Sequence, residues 1–370
     1  MEREPKKRMT MWPNNRIQNL LGIEWPILQA PMAGAVLSKM AIAVSEAGGL
    51  GSLPCALLNA EQIRNEVGNI RQHTKKPVNL NFFCHQSPDA DPERENRWRK
   101  RLERYYAEFG IEPQAPFPTT NRTPFDHTMC ELVVELRPDV VSFHFGLPAP
   151  ELLAQVKATG AKILSSATSV EEARWLEKGG CDAIIAQGAE AGGHRGLFLS
   201  RDVSTQVGTM ALVPQVADAV KIPVIAAGGI ADARGIVAAF ALGASAVQLG
   251  TAYLFCPEAE ISPLYREALR NARDNSTALT NVFTGRPARG IVNRVVREVG
   301  PLSDAAPEFP LAGGALAPVR LASESAGSSD FTSLWSGQSA RLGRELQAGE
   351  LTRLLAEETL EKLAIYKSLG

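Results

Sequence analysis

The chain has 370 residues, of which 45% are hydrophobic and 21% charged, and its net charge is -1. This is the composition of a globular protein with ample length for a large core, and the near-neutral charge excludes the broad basic surface that binding to nucleic acid or an anionic membrane calls for. No apolar run reaches the roughly 20 residues of a membrane span, and residues 1–16 lack the apolar stretch of a secretory signal. The five cysteines are scattered and contain no CxxC, which suits a reducing cytoplasm. Cys84-His85 and His127-x-x-Cys130 match no zinc-module spacing, so no metal is expected.

Apolar, β-branched runs bounded by glycine and proline alternate with helical spacings along the chain. Residues 26–32 (PILQAPM) give a first strand, followed by a helix over 38–46 that Gly48 and Gly49 close. A second strand at 50–53 precedes a helix at 60–71, and a third strand (VNLNFF) lies at 78–83. The fourth, VVSFHF at 140–145, leads to a helix at 149–159. The fifth, at 162–166, leads to a helix at 169–178, and the sixth occupies 182–187. The seventh (PVIAA, 223–227) precedes a helix at 232–241, and the eighth (AVQL) is at 246–249.

Such alternation predicts an α/β fold of the (β/α)8 TIM barrel type over residues 15–260, with parallel strands joined by helical crossovers. An open doubly wound sheet is the alternative, but no GxGxxG follows the first strand. Residues 86–126 form a polar insertion after strand three, helical over 92–109 and irregular over 112–124. Residues 261–370 read as a C-terminal cap with helices at 264–273 and 350–369 and a loop over 301–330.

Chemistry in this fold sits at the carboxyl ends of the strands. Strand one ends in Gln29, Ala30, Pro31 and Met32; strand three carries Asn81; strand four ends in His144 and strand five in Ser166. Strand six ends in Gln187 and opens into QGAEAGGHRG, with Gly192, Gly193, His194 and Arg195. Strand seven ends in Gly228 and Gly229, and strand eight in Gln248, Leu249, Gly250 and Thr251. The loops after strands seven and eight are the usual phosphate site of such barrels, and glycines there bring backbone N–H groups to an anion, with Asp232 as N-cap of the next helix. No ribose-reading acid or second phosphate loop is legible, so a mononucleotide fits better than NAD. Neutral amides at Gln29, Asn81 and Gln187 suit the pyrimidine edge and polyol of a flavin, although buried amides also serve simply to satisfy strand ends. His194 sits in a loop with no apolar face to fill and is the candidate base. His144 points inward if Phe143 and Phe145 point out, and reads either as a second catalytic group or as a core histidine. Arg195 adds a fixed charge nearby, with solvent equally open to it.

The motifs QAPMAG, FHFGLP, SSATSVEEARWLEKGGCDAIIAQGAEAGGHRG, PVIAAGGIADARGI and VQLGTAYLFCPE, in this order, resemble the nitronate monooxygenases, formerly 2-nitropropane dioxygenases, and among them the first class, which binds FMN. FTGRPARGIVN at 283–293 and WSGQSA at 335–340 add to the resemblance. It implies an FMN-dependent enzyme that oxidises alkyl nitronates with O2, and without nicotinamide, to carbonyl compounds and nitrite. It implies further that His194 is the active-site histidine, that His144 lines the same site, and that Asn81, Gln187, Gly192, Gly229 and residues 248–251 touch FMN. The expected partners are an anionic nitronate and O2, with the chain a monomer or homodimer. The 86–126 insertion departs from the pattern. A flavin-dependent enoyl-ACP reductase, which uses NAD(P)H, shares QAPM- and AGGH-like elements and is the alternative.

Overall fold

The structure, a computed structural model, describes residues 12–89, 91–112 and 122–368. Its strands are β1 (Ile27–Gln29), β2 (Gly51–Pro54), β3 (Val78–Phe83), β4 (Val140–His144), β5 (Lys162–Ala167), β6 (Ala183–Gln187), β7 (Gly193–His194), β8 (Val224–Ala227), β9 (Ala246–Leu249), β10 (Thr277–Thr280) and β11 (Ala288–Ile291). Eight of them form one parallel sheet in the order β1-β9-β8-β6-β5-β4-β3-β2. A parallel bridge between Leu28 and Leu50 joins its two ends, so the sheet closes into the expected TIM barrel.

Side-chain alternation along each strand sorts two layers. Ile27, Val141, Phe143, Ile163, Ile184, Ala226 and Val247 face out and pack under the helices. Leu28, Val140, Leu164, Ile185 and Ile225 face the barrel axis, where Ile17 and Leu21 of the short N-terminal helix join them. Above this apolar layer lies a polar one: Asn79 Nδ2 donates to Ser52 Oγ and Ser142 Oγ at 3.0 and 2.9 Å, and Asn81 Nδ2 donates to Ser142 Oγ at 2.9 Å. His144 shares the inward parity of Val140 and Ser142, as its sequence neighbours implied.

The helices His127–Leu136 and Thr209–Ala219 are additional to those expected from the sequence. Pro214, inside the second, interrupts the pattern that would announce a helix, but tertiary burial of Leu212, Val213 and Val216 holds it. The insertion helix runs over Pro92–Phe109, as expected; the irregular 112–124 segment falls largely outside the described residues.

One expectation is overturned. Residues 301–330 are not all loop: Ala312–Ser325 is a helix despite Gly313, Gly314 and Pro318. Its small residues let it pack closely, and burial outweighs weak propensity. Its partner is the insertion helix. Trp98, Leu102, Tyr105 and Tyr106 form a second core with Ala315, Leu316, Val319, Val282, Val295 and Phe331. Trp98 Nε1 and the Tyr106 hydroxyl donate to the carbonyls of Ala312 and Ala315 at 2.9 and 2.8 Å. The last helix, Ala348–Ser368, packs against the ring helices Ser38–Glu46 and Ala233–Ala241. Among the described residues no helix is long and apolar enough to cross a membrane.

Candidate active site

A cavity of about 420 Å³ opens at the carboxyl ends of the barrel strands. The QGAEAGGHRG loop does not hang free over it. As β7, Gly193 and His194 pair antiparallel with Arg289 and Ala288 of β11, which in turn pairs with β10. Arg195 is fully buried and points to neither cavity nor solvent, correcting the open reading of its side chain. Its guanidinium donates to the carbonyls of Gly188 and Gln187 and to Gln206 Oε1 at 2.6, 2.7 and 2.8 Å. It is an internal tie that satisfies loop carbonyls, which is how a buried cation becomes tolerable.

Two side chains meet at the His194 backbone. Its carbonyl accepts from Gln187 Nε2 at 3.0 Å and from His144 Nε2 at 3.2 Å. Gln187 Oε1 accepts from Gly196 N at 2.8 Å, and His144 Nδ1 meets the Ser166 hydroxyl at 3.0 Å. The amide of Gln187 and both nitrogens of His144 are thereby committed to holding the loop, although both residues line the cavity.

The His194 imidazole faces the cavity between the rings of Phe309 and Trp335, with centroids 5.3 and 5.5 Å away, and Phe83 and Phe145 lie just beyond. Its Nε2 lies 3.0 Å from the Thr284 hydroxyl. Burial, followed by the charge of Arg122, holds its pKa well below the ordinary histidine value. Burial and Arg286 push His144 down to about 3. Both rings are therefore neutral at physiological pH. Phe145 adopts a left-handed φ of +72°, and the Arg286 guanidinium stacks 3.8 Å from its ring centre. A residue so strained beside the site is held by its surroundings.

The far end of the cavity is walled by backbone. Gly228 and Gly229 have φ of +110° and +71°, which other residues rarely adopt. Asp232 caps the next helix by accepting from Arg234 N and Gly235 N, so an anion here would rest on the loop backbone and not on that helix end. The WSGQSA segment folds across this end: Gly337 N donates to Thr251 Oγ1 at 2.9 Å, Gln338 N to the Glu190 carbonyl at 3.0 Å, and Ser339 Oγ to the Gly229 carbonyl at 2.6 Å.

Of the residues singled out in the sequence, Ala30, Pro31, Met32, Asn81, His144, Ser166, Gln187, Gly192, Gly193, His194, Gly228, Gly229, Gln248, Gly250 and Thr251 all line the cavity. Gln29 and Leu249 do not. Gln29 is buried below the cavity, where Oε1 accepts from Ser52 N at 2.8 Å and Nε2 donates to the Ala30 carbonyl. Leu249 has the outward parity of Val247 and packs in the outer core.

The sequence reading missed Arg122 and Arg320, both of which line the cavity. Nη1 of the first and Nε of the second are buried without a hydrogen-bond partner, and neither residue forms an ion pair among the described residues. They come from the insertion and from the Ala312–Ser325 helix, so no local pattern could have brought them together. His85, which carried no role in the sequence, is buried in the same aromatic cluster, 4.8 Å from Phe309 between centroids. Among the described residues no three His, Cys, Asp or Glu side chains are grouped to hold a metal.

Residues 14–358 match the family model described as nitronate monooxygenase. The chain belongs to the nitronate monooxygenase family. It is 44% identical to a nitronate monooxygenase of Pseudomonas aeruginosa, over 93% of this chain and 99% of that one. It is 41% identical to a nitronate monooxygenase of Paraburkholderia phytofirmans, over 93% and 94%. Among solved structures, a nitroalkane oxidase from Streptomyces ansochromogenes superposes with a TM-score of 0.86 at 38% identity, covering 95% of this chain and 99% of that one. FabK from Thermotoga maritima gives 0.73 at 31%, covering 96% and 99%. The chain is thus an oxidoreductase of the nitronate monooxygenase family, with the FabK fold a more distant neighbour.

Proposed function

We propose that the chain binds FMN and oxidises alkyl nitronates with O2 to a carbonyl compound and nitrite. The observation that carries this reading is the placement of the neutral His194 imidazole in a cavity with a glycine-walled end and arginine nitrogens that have no acidic partner among the described residues.

The residues present fit FMN. Gly192, Gly228, Gly229, Gly250 and Thr251 all line the cavity, where their backbone N–H groups could serve a phosphate. A Cβ on Gly193 would meet nothing within 4 Å and so would project into open space. Ala30, Pro31 and Met32 offer an apolar wall for a flat ring, with Asn81 on the polar side. Bound there, the flavin supplies the redox centre that takes electrons from the substrate.

The chain's own residues do the rest. Arg122 and Arg320 attract and orient the anionic nitronate, and their buried unpartnered nitrogens gain most from an anion that replaces lost water. The neutral His194 is a base for a nitroalkane that still carries its α-proton. Phe145, Phe309 and Trp335 exclude water around the imidazole.

The purified protein should be yellow, absorbing at ~450 nm through bound flavin. Anaerobic ethyl nitronate should bleach that band and NADPH should not. Bleaching by NADPH alone would replace this reading with the enoyl reductase one.

A further inference from the structure

Thr284 lies outside the cavity lining, behind His194, and is itself buried. It stands in the turn between β10 and β11, and β11 pairs with the β7 strand that carries His194. Its hydroxyl is 3.0 Å from His194 Nε2, 3.4 Å from the Arg286 carbonyl and 3.4 Å from Arg286 N. Only one arrangement of protons serves all four groups. Arg286 N–H and His194 Nε2–H donate to Oγ1, and the hydroxyl proton goes to the Arg286 carbonyl. In the opposite arrangement the hydroxyl donates to Nε2 and leaves that carbonyl without it. The first arrangement places the proton of the neutral imidazole on Nε2 and leaves the lone pair on Nδ1, the nitrogen for which no partner stands among the described residues, in a residue that lines the cavity.

We propose that Thr284 is the positioning residue of His194: its hydroxyl accepts from Nε2–H, fixes the tautomer, and turns the basic Nδ1 toward the substrate. When Nδ1 gains a proton, the Nε2–H···Oγ1 bond becomes charge-assisted and steadies the imidazolium in a dry site. A carboxylate in this place would hold the tautomer too, but it would add a full negative charge beside the cavity meant for an anionic substrate. A hydroxyl orients the ring without that repulsion. This inference rests on the reading of His194 as the base, but its first test does not.

The variants T284S and T284A differ by the hydroxyl alone. Long-range proton–nitrogen spectra of the cofactor-free protein with 15N-labelled histidine, assigned with H194N, should show Nε2-protonated His194 in wild type and T284S and a mixture of tautomers in T284A. Wild-type spectra with the proton on Nδ1, or identical spectra for T284S and T284A, would overturn the proposal whatever the enzyme's substrate. On a neutral nitroalkane, kcat/KM per bound flavin should fall about 10-fold or more in T284A, mainly in kcat, and by less than about 3-fold in T284S. Equal losses in the two variants, or equal loss of flavin from both, would count against the hydroxyl. Absence of turnover in wild type would instead count against the function proposed above.

Discussion

His144 Nε2 donates to the carbonyl oxygen of His194 across 3.2 Å, and the Ser166 hydroxyl takes up the other nitrogen of the His144 ring. With both nitrogens committed, His144 acts through the loop that carries His194. Replacing it by phenylalanine removes a hydrogen bond worth ~1.5 kcal/mol in a dry site and should lower kcat/KM roughly 10-fold, for nitronates and nitroalkanes alike. His194→Asn removes the proposed base. It should leave the flavin bound and lower kcat/KM on a neutral nitroalkane by roughly 10²- to 10⁴-fold. Steady-state kinetics on both substrate forms checks the pair; an H144F defect confined to the nitroalkane would make His144 a proton-transfer group in its own right.

Gly192 shows why backbone comes close at one end of the cavity. A Cβ there would lie 2.5 Å from Gly337 N and 2.6 Å from the Ser336 carbonyl carbon, both backbone atoms that cannot swing aside. Gly192→Ala should force the WSGQSA segment off the cradle, destabilise the protein by roughly 1–3 kcal/mol, and weaken FMN binding. Thermal unfolding and a flavin titration measure the two effects; unchanged flavin affinity would separate that segment from the proposed phosphate site.

Arg122 reaches the cavity from the insertion and Arg320 from the Ala312–Ser325 helix, and each carries a buried nitrogen without a partner among the described residues. Arg320→Met and Arg122→Met should each raise KM for an anionic nitronate by roughly 10- to 150-fold, as expected for a charge-assisted hydrogen bond of ~1.5–3 kcal/mol, with a smaller effect on neutral nitroalkanes. The comparison of the two substrate forms is the check. Equal effects on both would assign these arginines to folding alone.

The buried histidines predict a pH dependence of stability. His144 is pushed to about 3 by burial and Arg286, His85 to about 4 by burial and Arg286, and His194 lies well below its ordinary value through burial and Arg122. In the unfolded chain each titrates near ~6.5, so below that pH the unfolded state binds more protons than the folded one. Their contribution is complete above ~6.5 and is lost as pH falls toward the folded values, at up to ~1.4 kcal/mol per pH unit for each ring. Calorimetry of the cofactor-free protein should show Tm falling from pH 6.5 to 4.5, with a shallower fall in His144→Phe. A slope unchanged by that substitution would remove His144 from the account.

The strand beats, the barrel and the residues at the strand mouths were legible because each depends on local pattern. A parallel barrel makes period-two and helical spacing alternate, and glycine at a strand end marks a place where backbone must come close. Parity alone put His144 inward. Gln29 was misplaced for a reason of the same kind: sequence showed an amide near a strand end but not the Ser52 N–H one strand away that claims it. The helix Ala312–Ser325 was invisible because its glycines and proline speak against helix until Trp98 and Tyr106 cover it. What only the tertiary structure decided is what surrounds the imidazole. Thr284, Arg122, Phe309 and Trp335 lie far from His194 in sequence and stand beside it in the fold, and Arg320 lines the same cavity, where the insertion helix and the C-terminal segment share one core above the barrel. Charge and burial at a site are sums over neighbours in space, and a chain read in order contains the neighbours without their distances.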